Sequence, residues 1–232
     1  LENSVVLEVA ARGYFNQAAN LTLKGSSERT VTLQQKRPGV FQSEPLKPEI
    51  LRDGEAAVLT ISGSATRETR FGLLTELADG REYATAISGD GQCTLEATPA
   101  TFYDTTSFWI ETVKKPVKVE NGRFSSRVYQ LQPFDRALRD TARVGIKLRK
   151  SEIPDKKNVY YYDRKKGWTF LPTSFSIVDR LLSAPLYSLE AVAIIEDTIP
   201  PRIHNFIPGP KSHYTSENLT KITGRVEDDL AG

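Results

Sequence analysis

Over residues 1–87, apolar and polar positions alternate in short bursts with a period of two. Val5-Val-Leu-Glu-Val9, Leu21-Thr-Leu23, Val31-Thr-Leu33, Val58-Leu-Thr-Ile61 and Phe71-Gly-Leu-Leu74 each place every second side chain on one face of an extended backbone. Turn residues separate them: Lys24-Gly-Ser-Ser27, Arg37-Pro-Gly39, Arg52-Asp-Gly54 and Ala78-Asp-Gly80. Strands recurring at such intervals predict an antiparallel sandwich. Pro45 and Pro48 bracket an extended crossing segment, because proline cannot donate to a central ladder. Leu73 to Leu77 has the spacing of a single helical turn, and no long amphipathic helix is predicted.

Residues 88–197 read as a second all-β unit that opens on the tight turn Ser88-Gly-Asp-Gly91. Its expected strands are Cys93 to Ala97, Phe108 to Val113, Val128 to Leu131, Val144 to Leu148, Val159 to Tyr162, Trp168 to Leu171 and Leu186 to Ile195, with a short turn at Arg136 to Arg139. The clearest hairpin is Val159-Tyr-Tyr-Tyr-Asp-Arg-Lys-Lys-Gly-Trp-Thr-Phe-Leu171. Two aromatic strands flank a turn in which Gly167 supplies a positive φ, and aromatic cross-strand pairs would hold the register. The run Ala191-Val-Ala-Ile-Ile-Glu-Asp-Thr-Ile-Pro-Pro201 then predicts a last strand, an acidic hinge and a stiff double proline. Residues 198–232 are expected to begin a further module, with a strand at Leu219 to Val226.

A chain of 232 residues suits two domains of about 100 residues each. Its formal net charge of +2 argues against a dedicated nucleic-acid binder. No apolar run approaches the roughly 18 residues of a membrane helix. The chain holds no Met and opens on Leu1, so upstream sequence, a leader or further modules, is expected. Cys93 is the single cysteine, which excludes an internal disulfide and a multi-cysteine zinc site. It alternates with polar neighbours and is expected as a buried strand residue.

Part of the second unit resembles a known family. Val128-Tyr-Gln-Leu-Gln-Pro-Phe-Asp135, Ala142-Arg-Val-Gly-Ile-Lys-Leu148, Tyr160-Tyr-Tyr-Asp163, Gly167-Trp-Thr-Phe-Leu-Pro172 and Leu189 to Ile195 form the series. It resembles β-sandwich modules of bacterial surface and secreted proteins, which are similar to the module of ankyrins and netrin receptors. The hinge at Glu196 to Pro201 and the stretch Val226-Glu-Asp-Asp-Leu-Ala-Gly232 resemble bacterial Ig-like repeats. Residues 1–87 resemble an Ig or fibronectin type III sandwich in pattern alone. The resemblance implies tandem β-sandwiches of an extracytoplasmic protein, in the periplasm, on the cell surface or secreted. Such modules often accompany a lysostaphin-like cell-wall peptidase domain. Some relatives cleave themselves at a His-Phe-Ser step; here Leu186-Tyr187-Ser188 stands in that place, and without the histidine no base serves the hydroxyl.

No constellation for catalysis appears. His204 and His213 stand nine apart in a Pro-rich stretch without clustered acidic partners, and no phosphate loop, nucleophile elbow or Cys–His pair is present. The segment is expected to be no enzyme.

Three patterns point to binding. Arg143, Lys147, Arg149, Lys150, Lys156, Lys157, Arg164, Lys165 and Lys166 face Glu152, Asp155 and Asp163, nine cations against three carboxylates. Folded together they would attract a polyanion such as teichoic acid, lipopolysaccharide or an acidic glycan. Arg149, Lys150, Arg164, Lys165 and Lys166 are the expected polyanion ligands, with Trp168 to stack on a sugar ring. Glu196 and Asp197, with Glu227, Asp228 and Asp229, could clamp Ca²⁺ between modules, since calcium takes hard oxygen ligands. Outward members of the aromatic set Phe102, Tyr103, Phe108, Trp109, Tyr160, Tyr161, Tyr162 and Trp168 would offer stacking faces. Asn20-Leu-Thr22 and Asn218-Leu-Thr220 match glycosylation sequons. The expected partners are a cell-wall polymer or surface glycan and further modules of the same polypeptide. The alternatives are an accessory region of a cell-wall zinc peptidase and an intracellular scaffold module.

Overall fold

The computed structural model describes residues 4–11, 17–25, 27–51, 54–62, 67–72, 74–199, 202–207, 221 and 223–227. These residues form antiparallel sheets, and a short 3-10 turn at Pro48–Leu51 is the one helical element among them. No helix among them is long and apolar enough to cross a membrane.

The first sheet joins β1 (Glu8–Ala10), β2 (Ala18–Gly25), β3 (Arg29–Arg37), β4 (Val40–Gln42), β5 (Gly54–Ser62) and β6 (Arg67–Gly72) in the order β1-β4-β3-β2-β5-β6. The long β3 is shared: its first half pairs with β2 and its second half with β4, so the sheet turns a corner within one strand. The period-two pattern does what it predicts. Ala19, Leu21 and Leu23 on β2, Val31 and Leu33 on β3, and Ala57, Leu59 and Ile61 on β5 are buried with Phe41 and Leu51.

The second unit is a sandwich. Its strands are β7 (Thr75–Ala78), β8 (Ala84–Ile87), β9 (Cys93–Ala97), β10 (Thr106–Thr112), β11 (Gly122–Phe124), β12 (Tyr129–Gln132), β13 (Arg136–Lys147), β14 (Lys157–Asp163), β15 (Gly167–Phe170), β16 (Ser174–Ser176), β17 (Leu181–Leu189) and β18 (Ala191–Asp197). One sheet runs β15-β14-β18-β12-β10-β7, with β11 also paired to β18; the other runs β16-β17-β13-β9-β8. Between them lies the main core, where Leu95, Phe108, Leu131, Val144, Ile146, Val159, Leu189 and Ile194 are completely or almost completely shielded. Cys93 belongs to this core, and burial pushes its thiol pKa up, so it packs as a small hydrophobe.

Three expectations change. Thr75–Ala78 is a strand paired with β10, where a helical turn was expected at Leu73 to Leu77. β7 and β8, expected in the first unit, pair with β10 and β9 and so belong to the sheets of the second. Arg136 to Arg139 opens β13, which bulges between Ala137 and Ala142, rather than forming a separate turn. β19 (Arg202–Ile207) and β20 (Thr223–Glu227) pair as a two-stranded sheet. Their ladder places part of the strand expected at Leu219 to Val226; Leu219, Thr220 and Ile222 lie outside the described residues.

Candidate anion-binding cleft

The site begins with the β14–β15 hairpin. Tyr160 pairs with Phe170, Tyr162 with Trp168, and Asp163 with Gly167, which stands at φ 76°. Asp163 Oδ1 accepts the backbone N–H of Lys165 at 2.7 Å and of Lys166 at 2.8 Å. The backbone donors of Lys166 and Lys165 hold the Asp163 carboxyl below the usual carboxylate range. The turn is thus fixed by its own acidic residue, and the Lys165 and Lys166 side chains stand exposed.

Alternation divides the hairpin. Val159 and Tyr161 meet the main core, while Tyr160, Tyr162, Trp168 and Phe170 point to the outer face of the sheet. That face is not open. A strap, residues 113–128, passes over it at Val117, and Val119 packs against the aromatic residues together with Val113, Phe124 and Val128, which lie in or extend strands of the same sheet, to form a second, smaller core. Trp168 meets Phe124 edge-on at 5.3 Å and Tyr162 at 5.5 Å between ring centroids, and its Nε1–H donates to the Val117 carbonyl at 3.2 Å. Of the aromatic residues expected to stack on sugars, Tyr160, Tyr162 and Trp168 pack in this second core, because an apolar face left in water is costly, whereas Tyr103 stands exposed elsewhere.

Where the strap passes the hairpin turn, a cleft of about 390 Å³ opens between residues 117–121 and residues 162–168. Val117, Tyr162 and Trp168 contribute its apolar lining, and Lys118, Lys165 and Lys166 its cations, with Glu120 as one opposing carboxylate. Among the described residues none of the three lysines forms an ion pair. Arg164 also borders the cleft, but its guanidinium lies 5.0 Å over the Phe134 ring and 3.6 Å from Asp135. Its charge is partly committed there. Three flexible ammonium groups around a mostly polar cleft with a few apolar side chains suit an anionic ligand. Lys118 was absent from the expected set. Its signal is the run Lys114-Lys115-Pro-Val-Lys118, which gains meaning only once the strap brings it to the hairpin.

The other expected cations lie elsewhere. Arg149 lines a separate cleft of about 300 Å³ with Arg123, Glu152, Lys157 and Glu196, beside the start of β14. Lys150 follows it in the same loop. Along a seven-residue strand, that end is about 20 Å from the hairpin turn. Arg143 and Lys147 stand on β13 in the opposite sheet, and Lys157 is buried. One contiguous basic face of nine residues is therefore not formed.

The expected calcium ligands are also redistributed. Arg123 donates to Glu196 Oε2 from Nε at 3.1 Å and from Nη2 at 3.0 Å, and Lys157 Nζ lies 3.2 Å from the same oxygen. Hydrogen bonds from Arg123 and then Lys157 hold the Glu196 carboxyl below its ordinary range. Two cations already neutralise this carboxylate, so it is a poor ligand for a third. Asp197 Oδ1 accepts the Ile199 N–H at 2.8 Å. Asp228 and Asp229 lie outside the described residues. Among the described residues no group of three or more His, Cys, Asp or Glu side chains is placed to hold a metal ion.

Ser188 sits on β17 with its Oγ 3.4 Å from Glu190 Oε1, and the neighbouring Tyr187 is exposed. His204 lies on β19 and His213 outside the described residues. In comparisons with known proteins, neither a protein-family model nor a curated protein sequence matches this chain.

Proposed function

We propose that this chain is a non-catalytic run of β-modules that attaches an extracytoplasmic protein to an anionic surface polymer, a cell-wall chain or an acidic glycan. The carrying observation is the convergence of Lys118, Lys165 and Lys166 on one cleft that Val117, Tyr162 and Trp168 also line. The turn is held by Asp163, so two of the lysines are presented without an ordering cost to the backbone. The strap holds Trp168 as part of a rigid wall rather than as a free stacking ring.

Co-sedimentation with purified cell-wall sacculi tests this reading. Pelleting is expected at low salt and is expected to fade towards 1 M salt, where the screening length shrinks to about 3 Å. The triple variant Lys118→Ala, Lys165→Ala, Lys166→Ala should weaken binding about tenfold, which is about 1.4 kcal/mol. Absence of pelleting at either salt, or pelleting that the triple variant leaves unchanged, overturns it.

A further inference from the structure

The hairpin between β16 and β17 turns over Ile177-Val178-Asp179-Arg180. Turns usually carry Gly, Asn, Asp, Pro or Ser, which tolerate the turn backbone or bond to it. β-branched residues prefer strands. Here two of them occupy the apex, 81% and 91% exposed, the highest values among the exposed large apolar side chains of the described residues. Arg180 adds a positive φ of 52°, which is uncommon for a residue with a Cβ. Places where local sequence rules fail together are expected to be functional or strained sites.

The apex does not stand alone. Arg180 Nη2 donates to the carbonyls of Arg149, at 2.8 Å, and of Glu152, and the Leu148 N–H donates to the Arg180 carbonyl at 2.8 Å. These bonds tie the hairpin to the loop between β13 and β14. The next residue of that loop, Ile153, is 67% exposed. The same loop carries the exposed cations Arg149, Lys150 and Lys156. Its exposed carboxylate is Asp155, and on the apex Asp179 accepts the Ser176 hydroxyl at 3.1 Å.

We propose that this end of the sandwich is a membrane-contact tip for a bilayer containing anionic lipid. Ile177, Val178 and Ile153 enter the boundary between headgroups and acyl chains, and Arg149, Lys150 and Lys156 stand against the headgroups. Aliphatic side chains offer neither a flat ring nor a hydrogen bond to a sugar, but they partition into hydrocarbon. Three side chains fall far short of the roughly 1,200 Å² that a stable protein interface buries. A shallow insertion needs no such area, and nearby Lys and Arg add attraction to an anionic leaflet. The proposal also accounts for Arg149 and Lys150, which the fold sets apart from the lysine cleft. It does not depend on the reading of that cleft.

Vesicle flotation of the full chain tests it, with phosphatidylcholine alone and with phosphatidylcholine mixed with phosphatidylglycerol. The chain should float with the mixed vesicles and much less with phosphatidylcholine. Ile177→Ser with Val178→Ser should lower the partition coefficient about tenfold. Arg149→Ala with Lys150→Ala should lower it severalfold, and Lys165→Ala with Lys166→Ala should leave it unchanged. The apex side chains are in solvent, so an unchanged thermal melt of the apex variant is expected alongside. Failure to float with mixed vesicles, equal flotation with phosphatidylcholine, or flotation that the apex variant keeps overturns the proposal. A loss caused by the Lys165 and Lys166 variant does so as well. Sedimentation velocity that shows self-association lost in the apex variant assigns the tip to a second copy of the chain instead.

Discussion

The two outer faces of the second unit's sandwich differ in what lies over them. On the seven-stranded sheet, Tyr160, Tyr162, Trp168, Phe170, Ala193 and Ile195 point away from the main core and pack with Val113, Val119, Phe124 and Val128 in a second core, with Val117 of the strap over Trp168. On the five-stranded sheet, Ile87, Thr94, Gly145, Ser183 and Ser174 lie opposite one another in a row across all five strands. Thr85, Glu96, Arg143 and Lys147 stand beside that row in solvent. The hydroxyls there bond locally, Ser174 to Ser183 at 2.9 Å and Thr94 to the Gly145 carbonyl at 3.4 Å. An apolar outer face must be covered, and a polar one can be left to water. The aromatic residues that look most like a ligand platform are therefore structural. The cleft lies at the margin of their cover.

Two ties in its second half hold the strap. At one, Arg123 on β11 clasps Glu196 on β18. At another, Asp90 in the β8–β9 turn accepts from Arg127 of the strap at 3.3 Å and from the Tyr129 hydroxyl at 3.1 Å, so it links the two sheets.

The largest effect is expected at Phe124. A fully buried Phe→Ala change costs 3–5 kcal/mol, and for this half-buried ring Phe124→Ala should cost about 2 kcal/mol in urea unfolding. Acrylamide quenching of tryptophan emission should rise with it, as Trp168 loses its roof. An unchanged melt and unchanged quenching would mean that the strap is not a cover.

A smaller effect is expected at Asp90. Burial alone would raise its pKa, but hydrogen bonds from Ser88, Gln92 and Tyr129 and the charge of Arg127 hold it below the ordinary value. A carboxyl depressed in the folded state contributes stability above its unfolded pKa of about 3.9, and loses it as pH falls through the folded value. Asp90→Asn should therefore destabilise the protein at pH 7 and flatten its loss of stability below about pH 4. Stability curves of equal acid dependence for the two proteins would remove this tie from the account.

The smallest change should come from the open face. Thr85→Ala alters an exposed, solvated position and should shift stability by no more than about 0.5 kcal/mol. A loss comparable to that of Phe124→Ala would show that the polar face is covered as well.

Much of the local structure was legible. The alternation of Val159, Tyr160, Tyr161 and Tyr162 assigns two residues to each face, and the turn chemistry of Asp163 and Gly167 is readable from composition. The strap was not, because β11 is three residues long and its segment has no period to detect. Its clasp joins residues 73 apart in sequence. The lysine cleft was legible by half: Lys165 and Lys166 follow from the hairpin, whereas Lys118 depends on where the strap crosses. Lys157 shows the converse, a cation counted with its neighbours that the fold buries against Glu196.

The all-β architecture, most strand positions, the tight turns and the burial of Cys93 follow from local patterns along the chain. Those properties depend on side-chain alternation and backbone preference within a few residues. Which sheets β7 and β8 join, which aromatic residues are covered and which cations share a cleft follow from long-range packing. A strand's pattern states which of its faces is apolar but not which sheet pairs with it, and a charge acquires neighbours only when distant segments pack together.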